Sequence, residues 1–320
     1  MTPEIDTCAN RQDYYGAPGL SQSALKDLAI SPLRFWHCHV NPNAPLIEPT
    51  AEMNFGSALH CAILEPKEFD KRFAREFTAD QVQGCLVTIE DLRAWLRDKG
   101  HTPKGTRKAD LILQVQKVDE FQPILEVLEA EHAAKTTGMI VLSDEAWTRV
   151  AGAAASLMEE QRVQELLKEG QPEVALTKTF EGVLLKGLLD WVHPHVTADF
   201  KTFAQKRGKS IDQCVADAIY YEGYYRQAVF YAILRGWPDT YDGSFVMPFV
   251  ESEPPHEVRI KLLTPKVGGQ PTVYWTRALL EIRSMIRTYD EYLKQFGDKP
   301  WRYAREIESL VDEEMKAMVY

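Results

Sequence analysis

Three adjoining pieces of sequence, Gly187-Leu188-Leu189-Asp190-Trp191, the turn His193-Pro194-His195, and Thr197-Ala198-Asp199-Phe200-Lys201-Thr202, decide how the rest of the chain is read. Both arms alternate and carry β-formers, Trp191 and Val192 before the turn and Val196 and Phe200 after it. The proline-containing link is short, so the arms read as paired strands. Residues i and i+2 of a strand share a face about 7 Å apart. Asp199 and Lys201 therefore point the same way, Phe200 anchors the opposite side, and Asp190 joins from the neighbouring strand. Two carboxylates and one ammonium gathered at a strand edge suit a divalent, oxygen-preferring cation, with a lysine beside it to handle water. The layout is that of a metal-dependent phosphodiesterase.

Charged strand faces are common, and an Asp-x-Lys step alone describes a solvated hairpin equally well. Two further features favour chemistry. Asp190 lies between Leu188 and Val192, so its face is apolar, and a carboxylate there needs a partner or a metal. Downstream, Gln227-Ala228-Val229-Phe230-Tyr231 places an amide and a phenol one helical turn apart. Together, Asp190, Asp199-Phe200-Lys201 and Gln227-x-x-x-Tyr231 resemble the motif set of the PD-(D/E)XK nuclease superfamily in its RecB-like branch. The chain is more specifically similar to the nuclease domain of RecE-type exonuclease VIII. The similarity begins near Tyr15-Gly16-Ala17-Pro18-Gly19-Leu20-Ser21 and includes Phe55-Gly56-Ser57-Ala58-Leu59-His60-Cys61 with Leu64-Glu65-Pro66. It runs through the Gln227 helix and is interrupted near residues 75 to 135. Leu-Leu-Asp stands where the superfamily's short form has Pro-Asp, which matters little because the carboxylate and not the proline binds metal.

The resemblance implies an α/β fold, a restriction-endonuclease-like core with a central mixed sheet flanked by helices, plus a small helical insertion. It implies that Asp190 and Asp199 hold one or two Mg²⁺ ions, with Mn²⁺ as the alternative, and that His60, the Phe200 carbonyl and Glu173 complete the shell. Lys201 would orient or deprotonate the attacking water, and the amide and hydroxyls of the stripe with Gln227 and Tyr231 would bind DNA phosphates or position the carboxylates. On its own, His60 beside the Leu59 and Ile63 stripe reads as a hydrogen-bonded core or edge residue, and Glu173 as a surface residue at a strand start. The family's activity is 5′ to 3′ exonucleolysis from linear double-stranded DNA ends. Its setting is a ring-shaped homo-oligomer that works with a RecT-like single-strand annealing protein. A related nuclease of other polarity or endonucleolytic action fits the same motifs, as does a non-catalytic DNA-binding protein on this fold.

The 320 residues suffice for one large core or two modest ones, with 45% hydrophobic and 26% charged residues as in globular domains. No apolar run approaches a membrane span, and Met1-Thr2-Pro3-Glu4-Ile5-Asp6 lacks a basic start and an apolar stretch, so the expected compartment is the cytoplasm, without membrane contact. Cys8, Cys38, Cys61, Cys85 and Cys214 show no Cys-x-x-Cys pair, which argues against a disulfide scaffold and a structural zinc. Nothing after Cys214 could complete the iron-sulfur cysteine triplet that some RecB-like nucleases carry. A net charge of −10 requires a DNA-binding chain to segregate its bases. Acid concentrates at Glu306, Glu308, Asp312, Glu313 and Glu314, and base between Lys201 and Lys209 and between Arg93 and Lys108.

Along the chain, residues 1 to 20 are turn-rich, Ser21 caps a helix over Gln22 to Ala29, and Ser31-Pro32 restarts a second short one. Trp36-His37-Cys38-His39 is not read as a metal site, because consecutive helical residues spread around the axis. Helices are expected over Met53 to Glu65, 118 to 134, 144 to 168, Ile211 to Leu234, Thr276 to Phe296 and Trp301 to Met318. Strands are expected over Glu173 to Phe180, Gly243 to Val250 and Glu257 to Leu263. Tyr220, Tyr224, Gln227 and Tyr231 should form one helical stripe, Tyr224 facing DNA, and Gln205-Lys206-Arg207-Gly208-Lys209 a phosphate-contacting loop through Lys206, Arg207 and Lys209. Residues 88 to 117 divide the chain into an N-terminal helical part (1 to 87), this insertion, and the nuclease core with C-terminal helices (118 to 320). The insertion reads as two amphipathic helices around Leu92, Leu96, Leu111 and Val115. It is similar to the helix-extension-helix pattern of SAP-like modules, several of which bind DNA. Seven basic against four acidic residues there make Lys104, Arg107 and Lys108 candidate DNA contacts, with a solvated, partnerless insertion as the equal alternative.

Overall fold

The structure is a computed structural model that describes residues 14, 16–44, 48–237 and 243–302. Tyr15, the acidic group from Glu306 to Glu314, and the helix expected from Trp301 to Met318 beyond residue 302 lie outside the described residues, as does most of the turn-rich lead-in. In chain order the elements used below are α1 (Gln22–Ile30), α2 (Pro32–Phe35), α3 (Ala51–Leu64), α4 (Pro66–Arg72), β1 (Phe73–Arg75), α5 (Ile89–Asp98), α6 (Lys108–Val118), α7 (Leu125–Lys135), β2 (Ile140–Leu142), α8 (Asp144–Glu159), α9 (Gln161–Leu167), β3 (Gln171–Phe180), β4 (Val183–His193), β5 (Val196–Ala198), β6 (Lys201–Phe203), α10 (Ile211–Tyr221), α11 (Tyr224–Leu234), β7 (Ser244–Glu251), β8 (Val258–Leu263) and α12 (Val273–Phe296). The described residues form two compact units, one drawn from the ranges 1–48, 162–249 and 258–320, the other from 49–161 and 250–257.

The first unit is built on a six-stranded mixed sheet in the order β3-β4-β5-β7-β6, with β8 also paired to β7. β3, β4 and β5 run antiparallel, whereas β5 and β7 are parallel. The parallel pair is reached through α10 and α11, the crossover that such a pair requires. α11 packs on β3 and β4, and α12 covers α11 and α1. Gly187 lets α11 lie close: a Cβ there would stand 2.5 Å from Leu234 and 3.1 Å from the Tyr231 ring. Two serines start the N-terminal helices as expected, Ser21 accepting from the Ala24 N–H at 3.2 Å and Ser31 capping α2 with Pro32 in its first turn. The Trp36–Val40 turn that follows α2 is a π-turn, and its His39 bonds Asp27 at 2.9 Å.

In the second unit, α3 packs against α8, and β1 pairs with β2 in parallel. The 88–117 segment lies inside this unit and forms two helices, α5 opened by a reciprocal Thr88 and Asp91 capping box. Leu92, Leu96, Leu111 and Val115 are fully buried and share a small core with Leu86 and Ile124. Gln114 ties down the extension between the helices, accepting from the Lys104 N–H at 2.9 Å and donating to the Lys104 carbonyl at 2.6 Å.

Four expectations change. The helix expected from 118 begins only at Leu125, because Asp119 and Pro123 occupy a turn between α6 and α7. The 144 to 168 helix breaks at Glu160. The 211 to 234 run is two helices, since Gly223 takes a left-handed φ of 73° between them. That break removes Tyr220 from the expected stripe, leaving it half exposed and stacked on Tyr225. The carboxylates also do not sit on an edge strand: β4 and β5 are interior, and the cluster forms where β5 ends and β6 begins.

Candidate metal centre and catalytic cluster

The hairpin register sets the two aspartates. Trp191 pairs with Ala198 and Val192 with Thr197, so one step further Asp190 stands opposite Asp199, just beyond the ladder. Both are buried, at 8% and 1% exposure, in a protein interior where an ionised carboxylate needs compensation. Asp190 Oδ2 accepts the Phe200 N–H at 2.8 Å, while the Asp199 N–H is donated to the Val246 carbonyl of β7 at 3.1 Å. Phe200, 1% exposed, fixes the segment from the core side, and Lys201 emerges on the Asp199 side, its ammonium paired with Asp199 Oδ2. The Asp199 and Lys201 juxtaposition read from the i, i+2 spacing is therefore present.

On β3 the register runs Pro172 with Trp191 and Val174 with Leu189, which places Glu173 across from Asp190. Glu173 is missing from the ladder because its φ is 50°, a left-handed conformation that a side-chain-bearing residue adopts only at a cost. The twist brings a Glu173 carboxylate oxygen within 4.8 Å of one from Asp190. Glu173 thus stands beside Asp190, while the Lys201 ammonium pairs with Asp199 and feels the charge of Asp190 as well. The carboxylates supply hard oxygen donors of the kind that a magnesium-type divalent cation takes.

α11 holds the cluster from the helical side. Gln227 Nε2 donates to Asp199 Oδ1 and to the Tyr231 hydroxyl, each at 3.1 Å, and the Tyr231 hydroxyl donates to the Leu188 carbonyl at 3.1 Å. Both amide hydrogens are thereby used, and Asp199 is orientated by a chain of donors anchored on β4. Burial pushes the Tyr231 phenol well above its ordinary pKa of 10, so it stays a neutral donor. Burial pulls the Lys201 ammonium down, yet the charges of Asp199 and Asp190 outweigh that and raise its pKa above the ordinary lysine value. Without metal, these two carboxylates accordingly favour the charged form of Lys201. The Tyr224 ring sits 4.9 Å from the Lys201 Nζ, a cation–π contact that sequence reasoning did not foresee. The signal was the Gly223 break, which starts α11 at Tyr224 and aims its first side chain back toward β6.

The remaining expected site residues lie on other elements. His60 is on α3 of the second unit and is half-buried. Lys206 and Arg207 are exposed in the loop after β6, whereas Lys209 pairs with Asp217 on α10. Lys104 is exposed, Arg107 pairs with Asp110 at 3.1 Å, and Lys108 is drawn to Glu126 and the Val87 carbonyl. No helix among the described residues is long and apolar enough to cross a membrane.

An interior hairpin that opposes two buried aspartates, an adjoining lysine, and a helix supplying glutamine and tyrosine define the arrangement of a PD-(D/E)XK-type domain. The comparison with protein families agrees. Residues 21–300 match the family described as a PDDEXK-like domain of unknown function (DUF3799), and the chain belongs to that family. In fold it is similar to a crystal structure from Eubacterium rectale of a protein provisionally named an exonuclease, with a TM-score of 0.53, 14% identity, and coverage of 97% of this chain and 98% of that one. Among curated proteins, none matches the sequence.

Proposed function

We propose that the protein is a metal-dependent deoxyribonuclease that degrades linear double-stranded DNA from its ends, 5′ to 3′, leaving single strands for recombination by annealing. The observation that supports it best is the buried constellation of Asp190, Asp199, Lys201 and Gln227 with Glu173 beside Asp190. Asp190, Asp199 and Glu173 would hold one or two Mg²⁺ or Mn²⁺ ions, with His60 and the Phe200 carbonyl as the further ligands that the resemblance to RecB-like nucleases supplies. A bound cation of this kind lowers the pKa of water and stabilises charge building on a phosphate. Lys201 would orient the attacking water or take its proton, and its ammonium can donate a hydrogen bond to the phosphate. Gln227 and Tyr231 keep Asp199 in one rotamer, so the carboxylates are preorganised for the transition state.

The direction of digestion, the ring-shaped homo-oligomer and the RecT-like annealing partner come from the likeness to RecE-type exonuclease VIII. Of the candidates Lys104, Arg107 and Lys108 in the SAP-like segment, Lys104 and Arg107 are exposed and would reach phosphates, and Lys206 and Arg207 offer a second contact after β6. Lys108 serves the local ion pair with Glu126 instead. Digestion of 5′-labelled and 3′-labelled linear duplex, with Mg²⁺ and with chelator, tests the reading. The 5′ label should be released early as mononucleotide and only with metal; internal cutting, early loss of the 3′ label, or no cleavage would each remove part of it.

A further inference from the structure

Gln227 and Tyr231 are spaced by four on α11, and the next position at that spacing is Arg235, at the C-terminal cap of the helix. Its guanidinium donates to the turn end of the β4–β5 hairpin: to the His193 carbonyl at 2.9 Å, the Pro194 carbonyl at 3.0 Å, the Val196 carbonyl at 3.3 Å and Thr197 Oγ1 at 2.9 Å. All four acceptors are uncharged. The Trp237 ring lies 4.1 Å from the guanidinium carbon, and Gly243 leaves room for that ring, since a Cβ on Gly243 would stand 2.0 Å from it.

One helical stripe therefore grips the hairpin along its length, Gln227 at the aspartates, Tyr231 at Leu188 and Arg235 at the turn. The hairpin needs such a grip. Its ladder has three residue pairs, and a one-residue slip of a strand turns every side chain to the opposite face. A slip of β5 would remove Asp199 from its place opposite Asp190. A planar fork of five donors that engages several carbonyls at fixed angles defines a register as a lysine cannot.

We propose that Arg235 is a positioning residue for the metal centre, acting through the β4–β5 register, and that Trp237 seated on Gly243 braces it. The proposal rests on the nuclease reading for its consequence, although its structural part can be measured without metal. Arg235→Lys keeps the charge and loses the fork; Arg235→Gln loses both. In the metal-free protein the Phe200 amide, which is donated to Asp190, should exchange with deuterium about tenfold faster in both variants, and Mn²⁺ affinity by calorimetry should fall about tenfold, as for other groups that orient ligands. Gly243→Ala should reproduce the effect with Arg235 intact, by displacing Trp237. Faster exchange confined to the turn amides, with Phe200 exchange and Mn²⁺ affinity at wild-type values, would overturn the proposal. If the wild-type protein bound no Mn²⁺ and cleaved nothing, the nuclease reading would fall, while Phe200 exchange would still decide whether Arg235 sets the register.

Discussion

Replacing Gln227 by leucine keeps the volume of a residue that is 8% exposed and deletes two hydrogen bonds at once, those to Asp199 Oδ1 and to the Tyr231 hydroxyl. A hydrogen bond to a charged acceptor contributes about 1.5–3 kcal/mol and a neutral one about 0.5–1.5 kcal/mol. Leucine returns part of this, because it carries no amide to desolvate, so a net loss of about 2 kcal/mol is expected for the metal-free protein. Thermal unfolding followed by circular dichroism should register that loss at about 2–4 °C for each kcal/mol. The larger effect falls on metal binding. Asp199 Oδ1 loses the donor that fixes its rotamer, and removal of such an outer partner costs about 10–100-fold in metal affinity. Cleavage of linear duplex plotted against Mn²⁺ concentration should shift to higher metal by that factor and recover most of its plateau, since the carboxylates themselves remain. A variant with an unchanged metal midpoint and an unchanged plateau would refute the argument that α11 orients the site.

Lys201→Ala should lower turnover by about 10²–10⁴-fold with metal binding largely retained, and calorimetry showing abolished metal binding at unchanged turnover would reverse the assignment. Joint replacement of Lys104 and Arg107 by glutamine should reduce the log–log salt slope of duplex binding by about 0.9 for each phosphate no longer neutralised, and leave hydrolysis at saturating DNA unaffected; an unchanged slope would make the segment a structural insertion. Adding Lys108→Gln should cost stability, because its ammonium pairs with Glu126, and a thermal scan separates the two effects. At Asp27, burial raises the pKa, but hydrogen bonds from Arg34 and His39 and their charges outweigh it and hold the group below its ordinary 3.8. The stability it contributes is thus present above that value and lost as pH falls through the lower folded value, so the destabilisation by Asp27→Asn, read by urea unfolding, should be full at neutral pH and vanish in strong acid.

Much of the fold was legible where local chemistry decides it. Ser21 and Ser31-Pro32 begin helices for reasons contained within a few residues, and Leu92, Leu96, Leu111 and Val115 meet because each pair lies on one helical face. The Asp190 and Asp199 pairing was readable because a short turn leaves a hairpin few registers. What escaped depended on backbone conformation or on distant partners. Gly223 could have continued a helix at modest cost, and only tertiary packing makes it a left-handed break. The positive φ of Glu173 has no residue-type signal at all, although it aims the third carboxylate. Arg235 reads as an ordinary helix-terminal base until the carbonyls of a turn some forty residues away are seen around it.

The most direct test of the account is calorimetric titration of Mn²⁺ into the wild-type protein, Asp190→Asn and Asp199→Asn, with digestion of linear duplex measured on the same samples. Each substitution keeps the shape of the side chain and removes a charged ligand, so the account predicts binding and digestion in the wild type and loss of both in either variant, with the folded circular dichroism spectrum retained. Wild-type metal affinity or wild-type digestion in either asparagine variant would contradict the claim that these two buried aspartates form the metal centre.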